Sequence, residues 1–198
     1  MATDNTRKQT MIYVTCINVM FFIALIVFLI PEPSSFLDLL GLGERIPVFG
    51  WVTAILVAAV YSAYTLWIIP DIRPFVFELS KLKIWAIPLA VLSGIIEEVF
   101  FRKIIMDAIQ GLGYGVLLQT LISATIFAAA HLIWVLFSRD WRFILPVLIS
   151  TFVLGVLLSL AYVASDRVVL PVIVAHIVIN LIIEPGLLYN SAKEANKT

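Results

Sequence analysis

Residues 84–106 read IWAIPLAVLSGIIEEVFFRKIIM, an apolar run that also carries Glu97, Glu98, Arg102 and Lys103. A bilayer-crossing helix needs about 20 mostly apolar residues, and this stretch supplies them. Yet an ionisable side chain at mid-bilayer costs at least ~2.5–3.5 kcal/mol on insertion scales. The acid pair lies about 13 residues into the run, roughly 20 Å deep at a rise of 1.5 Å per residue. Arg102 follows Glu98 by four positions and so shares its helix face. The remainder of the chain decides whether these charges lie in a membrane.

That remainder is apolar almost throughout. The chain has 198 residues, of which 62% are hydrophobic and 13% charged, and its mean hydropathy is +1.08. Ordinary soluble domains run to roughly 45–50% apolar and about 25% charged. A water-soluble globule of this size has too little interior to hide so much apolar surface. Thirteen basic and 13 acidic residues give a formal net charge of zero, so no field attracts nucleic acid. The single cysteine, Cys16, excludes an intramolecular disulfide and a cysteine-cluster metal site. Soluble enzyme, disulfide scaffold, nucleic-acid binder and disordered chain are all poor readings. The class that fits is an all-α, polytopic transmembrane bundle.

Working outward from 84–106, the apolar runs predict six spans: Met11 to Ile30, Val48 to Ile69, Ile84 to Met106, Val116 to Phe137, Phe143 to Val163, and Val168 to Leu188. The runs are continuous rather than alternating, which favours helices over a barrel. Phe36 to Leu42 is too short to span and reads as an interfacial helix. The first run lacks a small-residue cleavage site and reads as a retained span. The expected organisation is a polar tail over 1–10, one transmembrane domain over 11–188 with a core at about 84–188, and a polar tail over 189–198. With the N-terminus inside, nine basic residues fall on inside segments (Arg7, Lys8, Arg73, Lys81, Lys83, Arg139, Arg142, Lys193, Lys197) and four outside (Arg45, Arg102, Lys103, Arg167). Both termini are therefore expected to be cytoplasmic, in a multi-pass protein of the cell membrane.

Both histidines of the chain lie in spans. His131 follows Phe127-Ala128-Ala129-Ala130, and His176 precedes Asn180 by four positions, one helical turn on the same face. The deep polar set is thus Glu97, Glu98, Arg102, His131, His176 and Asn180, contributed by three helices that can converge on one cavity. Each member has a plainer reading. Glu98 with Arg102 can be a structural ion pair. His131 can be a hydrogen-bonded packing residue, and Asn180 interhelical glue. Ala128 to Ala130 suit close helix approach, Cys16 a small apolar filler, and Glu184, near the end of its run, the interface. It is the joint occurrence that points to chemistry.

The low dielectric sets two adjacent carboxylates against each other, and the guanidinium holds one of them ionised. By its spacing Glu98 takes the Arg102 pair. Glu97, turned about 100° from it, is left as a base that with His131 can deprotonate a water. His176 and Asn180 can donate to the oxyanion of a tetrahedral intermediate. The expected reaction is peptide hydrolysis without a covalent intermediate and without a cofactor. Zinc held by Glu and two His is the minority alternative, since no helix offers HExxH spacing.

Glu97-Glu98-Val99-Phe100-Phe101-Arg102 resembles the EExxxR motif of the CPBP intramembrane protease family, which includes the type II CAAX prenyl endopeptidases and the bacteriocin-processing (Abi) proteins. Phe127 to His131 is similar to that family's FxxxH motif and His176 to Asn180 to its HxxxN motif. The three occur in family order over roughly residues 84–188, about half of the chain. The resemblance implies that Glu97 and His131 activate water and that His176 and Asn180 form the oxyanion hole, with Glu98, Arg102 and Phe127 in supporting places. It implies a glutamate-type endopeptidase acting on a membrane-associated peptide or protein, prenylated CAAX-like substrates included. A proton-coupled transporter and a non-catalytic peptide-binding immunity or scaffold protein stand as alternatives. The transporter is disfavoured by small size and the lack of an inverted repeat. The sequence leaves the oligomeric state open.

Overall fold

The computed structural model describes residues 2–29, 33–78, 80–132 and 144–195, and among these it is helical with no strand. In chain order the elements are α1 (Ala2–Leu29), α2 (Pro33–Leu39), α3 (Val48–Ile68), a single 3₁₀ turn (Pro70–Ile72), α4 (Arg73–Phe77) and α5 (Lys81–Glu98). A π-helical segment (Val99–Met106) follows, then α6 (Asp107–Gly111), α7 (Val116–Ala130), α8 (Ile144–Ala164) and α9 (Leu170–Ala195). Among the described residues five helices are long and apolar enough to cross a membrane: Lys8–Val27, Val48–Ile68, Lys81–Gly111, Leu145–Ala164 and Leu170–Asn190. The outer surface fits that setting, since large apolar side chains such as Phe22, Phe49, Trp67 and Leu145 point outward.

Three boundaries differ from the sequence-based expectation. The terminal helices run into the polar residues before Met11 and after Leu188. Helix α1 begins at Ala2 and α9 runs on to Ala195, because neither stretch holds a residue that stops a helix and backbone bonding continues at no added cost. The fourth run is a 15-residue helix that ends at Ala130, shorter than the other five. At its end the His131 Nδ1 takes up the Phe127 carbonyl at 2.8 Å, the acceptor that the His131 N–H would use in a continuing α-helix. That N–H turns to the Ala128 carbonyl instead, at 3.1 Å. The rest of that run, Ile133 to Phe137, lies outside the described residues, as do Phe143, Arg139 and Arg142. The third difference is the π-helical turn directly after the acid pair. Its backbone is supported from a neighbouring helix, where the Ser123 hydroxyl donates to the Phe101 carbonyl at 2.8 Å.

Helix α9 sits against α3, α4, α5 and α1, while α7 packs on α8. In lipid, helices associate by close packing rather than by a hydrophobic drive, so small residues mark the contacts. At Gly94 on α5 an added Cβ would meet Ile177 Cγ1 of α9 at 2.7 Å. At Gly155 on α8 it would meet the Ala124 Cα of α7 at 2.9 Å. One end of the bundle is tied by Asp107. It accepts from Tyr162 Oη at 2.9 Å and from Arg167 Nε and Nη2 at 2.9 and 2.6 Å. Arg167 Nη1 also donates to Gln119 Oε1 at 3.0 Å. The network holds the α8–α9 turn, where Asp166 and Arg167 occupy φ of 51° and 63°, a backbone region that costs non-glycine residues about 1–3 kcal/mol.

The two glycines differ in what they face, which gives a test. Ala at 155 meets backbone and must push α7 from α8, an overpacking cost of about 1–3 kcal/mol. Ala at 94 meets a side-chain carbon, Ile177 Cγ1, at 2.7 Å, and the helix-propensity gain of ~1 kcal/mol offsets part of the adjustment. Thermal unfolding in detergent should therefore show Gly155→Ala lower by several degrees, at about 2–4 °C per kcal/mol, and Gly94→Ala lowered by less. Equal losses would mean that α7 and α8 are not in backbone contact.

Candidate active site

Helix α5 starts at an N-cap, where Ser80 Oγ accepts from the Lys83 N–H at 3.3 Å. It carries the acid pair in its last turn. Adjacent helical residues point about 100° apart, and the two carboxylates diverge accordingly. Glu98 is fully buried, and its Oε1 accepts from Arg102 Nη1 at 3.0 Å, the i, i+4 pair expected from spacing. The same oxygen lies 2.6 Å from His176 Nδ1. Arg102, also fully buried, donates from Nη2 to the Gly155 carbonyl at 3.1 Å and lies over the Phe127 ring at 4.7 Å. The guanidinium is thus placed by a carboxylate, a carbonyl and an aromatic face, drawn from three helical segments.

Glu97 turns the other way, toward both histidines. Its Oε2 lies 3.9 Å from His176 Nε2 and 4.0 Å from His131 Nε2, and no hydrogen-bond partner reaches it. The rings are held from behind by their other nitrogen. His131 Nδ1 faces the Phe127 carbonyl, which can only accept, so Nδ1 carries a proton and Nε2 is turned to Glu97. His176 Nδ1 donates to the Glu98 carboxylate. Phe127 separates the two rings, 4.5 Å from that of His131 and 5.9 Å from that of His176.

Exposure divides the set. The Glu97 and His131 side chains are 16% and 19% exposed, whereas those of His176, Glu98 and Arg102 are at 2%, 0% and 0%. The reachable edge of the site is formed by Glu97 and His131, and the charge pair is sealed behind it.

The structure therefore brings together Glu97, His131 and His176, with Glu98, Arg102 and Phe127 backing them. Asn180 stands one turn beyond His176 on α9, and its Nδ2 donates to Ser93 Oγ at 3.1 Å. Three features escaped the sequence reading. Ser93 lies four residues before Glu97, a spacing that puts it on the same face and could have singled it out. The Glu98–His176 bond joins residues 78 apart and has no local signal. Glu184 does not reach the interface as expected. Its Oε2 is buried without a hydrogen-bond partner, and on α9 it follows Asn180 by one turn.

Removing Arg102 tests how the core of the site is held. Arg102→Ala leaves Glu98 as a buried carboxylate with its guanidinium gone, a change of about 3–5 kcal/mol for a buried pair. Yield of folded protein and thermal midpoint should both fall. Arg102→Lys should recover only part of the loss, since an ammonium cannot reach Glu98 and the Gly155 carbonyl as a planar fork does. A stable, well-expressed Arg102→Ala protein would show that the pair contributes little.

The chain was compared with known proteins on this basis. No solved structure matches it. It is 27% identical over 180 residues to the membrane-embedded CAAX protease MroQ of Staphylococcus aureus (strain USA300), a match that covers 84% of this chain and 67% of that protein. The family described as type II CAAX prenyl endopeptidase Rce1-like matches residues 79–182, a stretch that includes the acid pair, both histidines and Asn180. The transporter and scaffold alternatives give way to a peptidase. The chain belongs to the type II CAAX prenyl endopeptidase Rce1-like family and is a multi-pass membrane protease.

Proposed function

We propose that this protease hydrolyses a peptide bond of a membrane-associated substrate with a water activated by Glu97 and His131, without a metal ion. The observation that carries the reading is the position of Glu97 Oε2, unpartnered and 3.9–4.0 Å from the Nε2 atoms of both rings. Those separations are too long for direct hydrogen bonds, and they suit a water that contacts carboxylate and ring at about 2.8 Å each. A tetrahedral zinc ion with bonds of about 2.0–2.1 Å would draw oxygen and nitrogen to roughly 3.3 Å. The spacing supports water over zinc.

In this mechanism the Glu97 carboxylate takes a proton from the water while the His131 Nε2 lone pair orients it. The water oxygen bonds to the scissile carbonyl carbon. His176, protonated on both nitrogens with Glu98 behind it, donates from Nε2 to the oxyanion, and Asn180 adds a second donor. Collapse breaks the C–N bond, and Glu97 returns its proton to the leaving amine. The carboxylic acid and amine products account for every atom of peptide and water. Glu98 accepts from His176 Nδ1 and so fixes the orientation of the ring, as the carboxylate does in a Ser-His-Asp triad.

The substrate class proposed from the family is a prenylated peptide ending in a CAAX-like sequence. A synthetic farnesylated peptide and the same peptide without the lipid are the probes. The purified wild-type protein in detergent or nanodiscs should cleave the farnesylated form faster. Glu97→Gln, nearly isosteric, should lose about 10²–10⁴-fold in rate with its thermal midpoint unchanged. Asn180→Ala should lose about 10²–10³-fold in kcat with little change in KM. Activity should survive exhaustive chelation. Stoichiometric zinc, with inhibition by chelator reversed on adding the metal back, would overturn the water mechanism and make Glu97, His131 and His176 ligands.

A further inference from the structure

Asn180 has a partner that none of the three sequence motifs includes. Ser93 is 3% exposed and sits on α5 one turn before Glu97. Its Oγ accepts from Asn180 Nδ2 at 3.1 Å and lies 3.5 Å from the Ala90 carbonyl of its own helix. The contact depends on the close approach of α5 and α9 at the neighbouring Gly94, where a Cβ would stand 2.7 Å from Ile177 Cγ1. The base-bearing helix and the donor-bearing helix are thus joined by a polar bond one turn from Glu97 and His176.

We propose that Ser93 is a positioning residue that fixes which edge of the Asn180 carboxamide faces the reacting carbonyl. The inference rests on the hydrolytic reading given above. A carboxamide has two edges of nearly equal shape and opposite polarity. With the N–H edge toward the site it stabilises an oxyanion, and with the C=O edge it repels one. The direction of the chain of bonds decides between them. The Ala90 carbonyl can only accept, so the Ser93 hydroxyl donates to it and turns its lone pairs to Asn180. Only the N–H edge of Asn180 satisfies those lone pairs. One hydrogen of Nδ2 is used on Ser93, and the second remains for the developing oxyanion. Helix α5 then supplies the base, through Glu97, and also the settings of both proposed donors, through Glu98 behind His176 and Ser93 behind Asn180.

The test uses the full chain in nanodiscs with the farnesylated peptide as probe. Ser93→Ala should lower kcat about tenfold with KM unchanged, a smaller loss than the 10²–10³ expected for removing the donor itself. Ser93→Thr, which keeps the hydroxyl, should restore most of the rate. In an Asn180→Ala background Ser93→Ala should cost nothing further, because the group it orients is gone. A packing role alone would lower the rate by the same factor in both backgrounds, and that additivity would overturn the proposal. A second readout needs no turnover. With asparagine side chains labelled with ¹⁵N, the Asn180 amide resonances should move in Ser93→Ala and stay near wild type in Ser93→Thr. Wild-type protein that leaves the peptide intact would count against the hydrolytic reading. An Asn180 amide signal indifferent to Ser93→Ala would overturn the positioning role whatever the activity.

Discussion

A single carboxylate oxygen, Glu98 Oε1, accepts from both Arg102 Nη1 and His176 Nδ1 in a fully buried position. The rest of the arrangement follows from that sharing. A lone carboxylate buried among apolar helices is too costly to keep ionised, so Glu98 requires Arg102. Arg102 carries more donors than one oxygen can use, and its second nitrogen goes to the Gly155 carbonyl. That bond fixes α8 relative to the π-helical segment. The imidazole of His176 brings α9 to the same oxygen. One acceptor therefore sets the positions of the acid helix, the segment that follows it, and two further spans. The helices stay close because Gly155 faces the backbone of α7 and Gly94 faces the Ile177 side chain of α9 with no room for a Cβ.

The sharing also determines how the two rings are presented. Each histidine is held through Nδ1, His131 by a carbonyl of its own helix and His176 by the carboxylate of another. Each turns Nε2 toward Glu97. The supports differ in charge, so the rings differ in character. The Phe127 carbonyl fixes the proton on His131 Nδ1 and turns Nε2 to Glu97, the side the proposed mechanism uses to orient water. The Glu98 carboxylate fixes His176 through Nδ1 and leaves Nε2 for the donation that the proposed mechanism asks of it. Two identical side chains thereby take unlike parts in the proposed mechanism, and the difference lies in what stands behind them.

The spans were legible in the sequence because lipid admits few structures: backbone groups must be satisfied within the segment, and uninterrupted apolar runs mark where that happens. The Glu98–Arg102 contact was legible for the same kind of reason, since a four-residue spacing on a helix fixes proximity. The divergence of Glu97 from Glu98 followed from the 100° step. What could not be read depends on relations across the fold. The helix stop at Ala130 is set by a side-chain nitrogen competing for a main-chain acceptor, and the apolar residues beyond it give no sign of this. The π-helical turn draws support from Ser123 on a different helix. Glu184 falls late in its run, which suggests the interface, yet its Oε2 is buried. The Ser93–Asn180 bond needs the α5–α9 crossing point, and that is set by Gly94 against Ile177.

A hydrolase within a membrane has two opposed needs. Its base must meet water and substrate, and the charges that organise it must not, because solvent would weaken them. In the proposed mechanism this chain meets both needs with adjacent residues on one helix. Glu97 and Glu98 differ by one position and by about 100° of rotation, which carries one carboxylate to a partly exposed edge and the other to a sealed interior. A spacing of three or four would place both on one face and expose or bury them together. The doublet of acids, which in sequence looks like a redundancy, is the shortest way for one helix to serve both sides of that boundary.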